Sequence, residues 1–154
     1  MNYDAVAAEL NDAIPFNHTV GLKVVDVGDG FAAVTLPDKP KLQNHLGTQH
    51  AGGLFAAGEA ASGAAFIGAF GDRLGTITPL AQSARIEYRK LATGTITARA
   101  RLSAPTPALL ETLDEQGAIR FPVEVNLADE GNEVVATMTV DWYVQRKDAP
   151  EEAP

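Results

Sequence analysis

The stretch NHLGTQHAGGLFAAGEAASGAAFIGAF, from Asn44 to Phe70, constrains this chain more than any other. From Ala51 onward it is glycine, alanine and larger apolar residues on nearly every side, the pattern of a buried helix. That helix holds a single acid, Glu59, and the next one, Asp72, falls beyond its end. An ionised carboxylate in such surroundings costs several kcal/mol unless it is hydrogen-bonded or neutralised, so a buried Glu59 is expected to be there for its chemistry. Nine residues earlier stands His50, closing a polar loop that begins at Asn44. Gly53, Gly58, Gly63 and Gly68 each sacrifice roughly 1 kcal/mol of helix propensity relative to alanine. The loss is tolerable where a helix lies against another backbone, so close packing on a curved sheet is expected.

The 154 residues suit one domain, 1–147, followed by a tail, 148–154, whose DAPEEAP composition reads as disordered. An apolar content of 45% and a net charge of -8 describe a folded, soluble chain. There is no basic arm and no interleaving of aromatic with basic residues, which argues against a nucleic-acid partner. The absence of cysteine removes disulfides and thiolate nucleophiles, and it fits a cytoplasmic location. The opening MNYDAVAAELND lacks the basic and apolar regions of a signal peptide. Residues 51–70 approach membrane-spanning length, but their acid and five glycines favour a buried soluble helix, so no membrane association is expected. His18, His45 and His50 are the only histidines, and none has a convincing ligand partner at short spacing, so no metal is expected.

Hydrophobic patterning predicts a short helix over 4–12, ending before Pro15, and strands over 22–27 and 31–36 around a GDG turn. Beyond the long helix, 77–91 reads as extended. Residues 95–102 alternate, with Ile96, Ala98, Ala100 and Leu102 on one face. Thr106 and Pro107 predict the cap and first residue of a helix that Gly117 closes. Two further strands follow, around 119–127 and 134–145. About six strands with one long helix after the second imply an α+β fold, an antiparallel sheet wrapped around the helix. Such a half-covered sheet leaves an edge or face to bury, so a homodimer, or a dimer of dimers, is expected.

This arrangement resembles the hotdog fold, and the loop and helix residues resemble the PaaI-type thioesterases, particularly the DUF4442 group. The pattern there is an asparagine, a histidine six residues later opening a His-Gly-Gly turn, and an acid nine residues past the histidine. Asn44, His50 and Glu59 stand at that spacing, and the likeness covers nearly the whole chain. One position departs, since the first glycine of the turn is Ala51 here and only Gly52 matches. Alanine keeps the backbone N–H but admits fewer backbone conformations.

The resemblance implies acyl-CoA thioester hydrolysis, with coenzyme A entering as part of the substrate and no separate cofactor. Glu59 would act as general base or as nucleophile. The backbone N–H groups of Ala51 and Gly52 would face the developing oxyanion. His50 would orient the carbonyl or the loop, and Asn44 would hold the loop or meet the sulfur region. Family members often add a hydroxyl from the neighbouring subunit, for which Thr76, Thr78 and Ser83 are candidates. Bland roles compete with these: His50 as a helix cap, Asn44 as a turn residue and Glu59 as a structural acid.

Leu54, Phe55 and Phe66 are candidates for the acyl slot. The alternation along the last strand points Trp142 toward the apolar side and Tyr143 away from it. Arg85 and Arg89 share one strand face, as do Arg99 and Arg101; if the two strands pair, four arginines converge where the nucleotide phosphates of coenzyme A could sit. Two other functions stay open. One is a non-catalytic acyl- or CoA-binding protein. The other is a 3-hydroxyacyl thioester dehydratase, because His45 precedes Glu59 at a suitable interval although the surrounding HLGTQH lacks the expected motif.

Overall fold

The computed structural model describes residues 1–150. Helix α1 (Tyr3–Ala13) is capped by Asn2, whose side chain accepts the Ala5 N–H at 3.1 Å. Pro15, expected only to end this helix, opens a second one, α2 (Pro15–Val20). Proline has no N–H to lose at a first helical position and its φ is already helical, so it starts a helix as readily as it stops one. Asn11 ties the helical layer to the sheet: its side chain donates to the Val24 carbonyl at 3.0 Å and accepts the Val24 N–H at 2.8 Å.

The remaining elements are β1 (Lys23–Gly28), β2 (Phe31–Leu36), α3 (Ala51–Phe70), β3 (Ile77–Tyr88), β4 (Ile96–Leu102), α4 (Thr106–Gln116), β5 (Ala118–Ala128) and β6 (Val134–Arg146). The six strands form one sheet in the order β1-β2-β4-β5-β6-β3, with every neighbouring pair antiparallel. α3 crosses its inner face and touches all six strands. This is the hotdog fold. The alternation expected in β4 is present, with Ile96, Ala98, Ala100 and Leu102 all buried.

Close packing of α3 is strongest at two of its glycines. A Cβ on Gly68 would stand 2.0 Å from the Gly28 carbonyl oxygen, and one on Gly58 would stand 2.5 Å from the Met138 sulfur. Gly63 differs from the expectation, since nothing lies within 4 Å of the space its Cβ would fill. By length and composition the segment Ala51–Thr76 could cross a membrane, yet its most apolar stretch is mostly buried inside the fold, as suits the core helix of a soluble-type α+β domain.

Sheet order corrects the arginine cluster. β3 pairs only with β6, while β4 lies between β2 and β5. Arg85 and Arg89 are therefore separated from Arg99 and Arg101 by two intervening strands, roughly 14 Å at the usual strand spacing. The register does place Arg85, Thr139, Glu124 and Arg101 in one row across the outer face, so the two pairs share a surface without converging. Glu87 already engages Arg85 and Arg89 at 3.2 and 3.1 Å.

Two smaller expectations also shift. Pro105 occupies the cap position of α4, and Thr106 sits one residue inside, its hydroxyl donating to Asp29 at 2.6 Å. The first residues of the expected disordered tail form a turn, in which Arg146 pairs with Asp148 at 2.8 Å and Gln145 donates to the Pro150 carbonyl at 2.6 Å. The rest of that tail, 151–154, lies outside the described residues.

Candidate active site

The Asn44–His50 loop is held from within. The Asn44 side-chain oxygen accepts the N–H groups of Leu46 and Thr48 at 2.9 and 3.1 Å, and its amide donates to the Thr48 hydroxyl at 2.8 Å. Gly47 adopts a φ of 74°, left-handed backbone that glycine takes without strain. Gln49 fastens the loop to the sheet, its amide donating to the carbonyls of Pro37 and Gly94 at 3.0 and 2.9 Å. Its side-chain oxygen is buried without a partner among the described residues. Gln49 had no signal in the sequence, because its partners lie in distant segments.

The loop delivers His50 to the N-cap of α3, where its Nδ1 accepts the Gly52 N–H at 2.8 Å. The acceptor role fixes the proton of a neutral ring on Nε2. Gly52, a candidate oxyanion donor, is thus already engaged. The Ala51 N–H has no acceptor among the described residues, and the Ala51 carbonyl accepts from Tyr88, which reaches in from the end of β3 at 3.2 Å.

Glu59 sits nine residues along the same helix, roughly 13 Å from the cap at 1.5 Å per residue. In the single chain it is exposed, not buried as expected, because the face of α3 that carries it is the one left uncovered by the sheet. It nevertheless stands on the wall of a cavity of about 310 Å³ whose other lining is chiefly apolar. Partial burial among those neighbours pushes its carboxyl above the ordinary glutamate range. Gly63, one turn on, leaves the cavity open, and Leu10 and Ile14 of the N-terminal helices form another wall.

The other candidates scatter. Phe66 lines the Glu59 cavity and stacks on Trp142 at 4.6 Å, with ring planes 4° apart, so Trp142 does face the helix. Tyr143 is buried too, but on the opposite face, beneath Arg120. Leu54 is packed into the core, and Phe55 lies on the exposed side of α3. Thr76 donates to the Arg73 carbonyl at 2.9 Å and Ser83 to Asp141 at 3.1 Å, while Thr78 is exposed on β3. None of the three hydroxyls lines the Glu59 cavity of its own chain.

Comparison with known structures places this arrangement among hotdog-fold proteins of the thioesterase type. The chain belongs to the DUF4442 family, a domain of unknown function, whose profile matches residues 4–144. A Pseudomonas aeruginosa protein of unknown function, PA5026, a probable thioesterase, superposes with a TM-score of 0.84 at 26% identity over 93% of this chain and 95% of that one. The E. coli PaaI protein from the phenylacetic acid degradation operon superposes at 0.71 with 17% identity, covering 92% and 91% of the two chains. The Staphylococcus aureus thioesterase SAV0944, as a mutant, gives 0.69 with 16% identity over 86% and 99%. Among curated proteins, none is similar enough in sequence to match.

Proposed function

We propose that this protein is an acyl-CoA thioesterase whose base or nucleophile is Glu59. The observation that carries this reading is a carboxylate with a raised pKa on the wall of an otherwise apolar cavity of about 310 Å³. Such a carboxylate is a stronger base than an ordinary glutamate. It would take a proton from water as the water oxygen bonds to the thioester carbon. Collapse of the tetrahedral intermediate breaks the carbon–sulfur bond, and the proton leaves with the thiol.

A homodimer completes the site in this reading. Glu59 and the His50 loop stand too far apart on one helix to meet the same carbonyl, so the loop of one copy would serve the carboxylate of the other. The outermost strand β3 supports such an assembly, because its edge is unpaired along most of twelve residues and Leu80 on it is 45% exposed. Arg85 on that strand and Arg89 just past its end would bring positive charge near the same junction, where coenzyme A carries its phosphates. Arg99 and Arg101 lie farther off on the same sheet surface.

One observation favours a second reading, a non-catalytic acyl-CoA binder: the Gly52 N–H is occupied by His50 and the Asn44 side chain by its own loop. Thiol release from a panel of short, medium, branched and aryl acyl-CoA substrates separates the two. Glu59→Gln keeps the shape and should lower the rate on the best substrate by about 10²–10⁴. A folded Glu59→Gln protein working at the wild-type rate would overturn the mechanism.

A further inference from the structure

The cavity beside Glu59 contains polar groups that thioester hydrolysis does not use. Asn17 lines it from α2 and is only 7% exposed, yet its side chain makes no hydrogen bond among the described residues. Its backbone carbonyl accepts from Gly21 and Leu22 at 2.8 and 2.9 Å, so the turn is held without the side chain and the amide is left over. On the same cavity wall Trp142 is 8% exposed, and its indole N–H is buried without a partner. Buried polar groups are nearly always paired, and each unpaired one costs about 1–3 kcal/mol. An amide with no protein partner, open to the cavity, and a buried unpaired indole N–H on one lining, in a cavity otherwise built from residues such as Ile14, Phe66 and Pro79, mark a place where a ligand's polar atom belongs.

Resting on the thioesterase reading above, we propose that Asn17, seconded by Trp142, forms a polar subsite that selects acyl groups carrying a hydroxyl or keto oxygen over plain alkyl chains. An amide offers both a donor and an acceptor, and the indole adds a donor, so a neutral oxygen function suits them. A carboxylate terminus does not, because Glu59 shares the cavity and would repel it. A purely alkyl chain gains the apolar walls but strands the amide. Discrimination by a site built for hydrogen bonding arises from that penalty.

The test compares two substrates of equal length, hexanoyl-CoA and 6-hydroxyhexanoyl-CoA, with 3-hydroxyhexanoyl-CoA covering a different oxygen position. Wild-type protein should favour one hydroxylated substrate about tenfold in kcat/KM, the worth of one well-made hydrogen bond. Asn17→Leu, of similar volume, should abolish that preference. Trp142→Phe, which retains an aromatic ring to stack on Phe66 and removes the N–H, should reduce it and serves if Asn17→Leu does not fold. Equal kcat/KM for alkyl and hydroxyl substrates in the wild type, or a preference unmoved by either variant, overturns the subsite and leaves the role of Glu59 standing. If no thioester is cleaved, the thioesterase reading fails by itself. The same three compounds are then titrated against the emission of Trp142, the only tryptophan. Tighter binding of a hydroxylated one, lost in Asn17→Leu, upholds the subsite, and equal or undetectable binding of all three overturns it.

Discussion

His50 and Gly52 are joined by a hydrogen bond of 2.8 Å, from the Gly52 backbone N–H to the imidazole Nδ1. The ring therefore does for α3 what asparagine or serine does at most helix starts, satisfying one of the unpaired N–H groups of the first turn. His50→Ala should lower stability by about 1 kcal/mol in urea denaturation. His50→Asn should restore most of that loss. If the imidazole also orients the thioester, the asparagine variant will be stable and slow. Wild-type thiol release from a stable His50→Asn protein would confine the residue to capping.

Glu59 links activity to stability through pH. Its folded-state pKa lies above the unfolded value because burial penalises the anion. The folded chain thus binds more protons across the window between the two, and stability falls as pH rises through it. Below the ordinary glutamate pKa the group is protonated in both states and contributes nothing; above the raised value its full penalty applies. Glu59→Gln should consequently melt at a higher temperature than wild type at pH 7, with the gap closing on acidification. Thermal scans at several pH values measure this, and a variant less stable at pH 7 would contradict the assigned cause. The hydrolysis rate should run the other way, rising with pH through the same raised pKa.

The β3 edge predicts a concentration-stable dimer. Sedimentation equilibrium at micromolar protein should return twice the chain mass, and Leu80→Lys should shift the equilibrium toward monomer. A wild-type monomer would remove both the dimer and the two-copy site.

Two glycines on one helix should respond oppositely to substitution. At Gly68 even alanine meets the Gly28 carbonyl, so Gly68→Ala should destabilise despite better helix propensity. At Gly63 there is open space, and Gly63→Leu should fold while obstructing the cavity, raising KM for longer acyl chains first. An unchanged chain-length profile in Gly63→Leu would place the acyl group elsewhere.

The long helix, the six strands and the Asn44–His50–Glu59 spacing were legible because each is a local pattern of residue types. What the pattern could not carry was partnership between distant segments. Neighbouring strands in sequence, β3 and β4, end up on either side of β5 and β6, and this alone dispersed the expected arginine cluster. Glu59 reads as buried because its helix is apolar all round, yet the sheet covers only one side of that helix. Pro15 reads as a stop, but proline punctuation does not say which way it acts. Asn17 carries no signal in the sequence, since an asparagine two residues after a proline looks like any turn residue until α2 folds it inward.

The distance along α3 between the capped loop and the carboxylate has a genetic consequence. If each reaction centre borrows its two halves from different molecules, a chain lacking Glu59 and a chain lacking His50 are both inert alone. Mixed under conditions that let subunits exchange, they pair so that one of the two centres inherits both missing pieces. Two dead proteins would then yield a partly living one, with an upper limit of one functional centre per mixed pair. A centre assembled within one chain would show no such rescue.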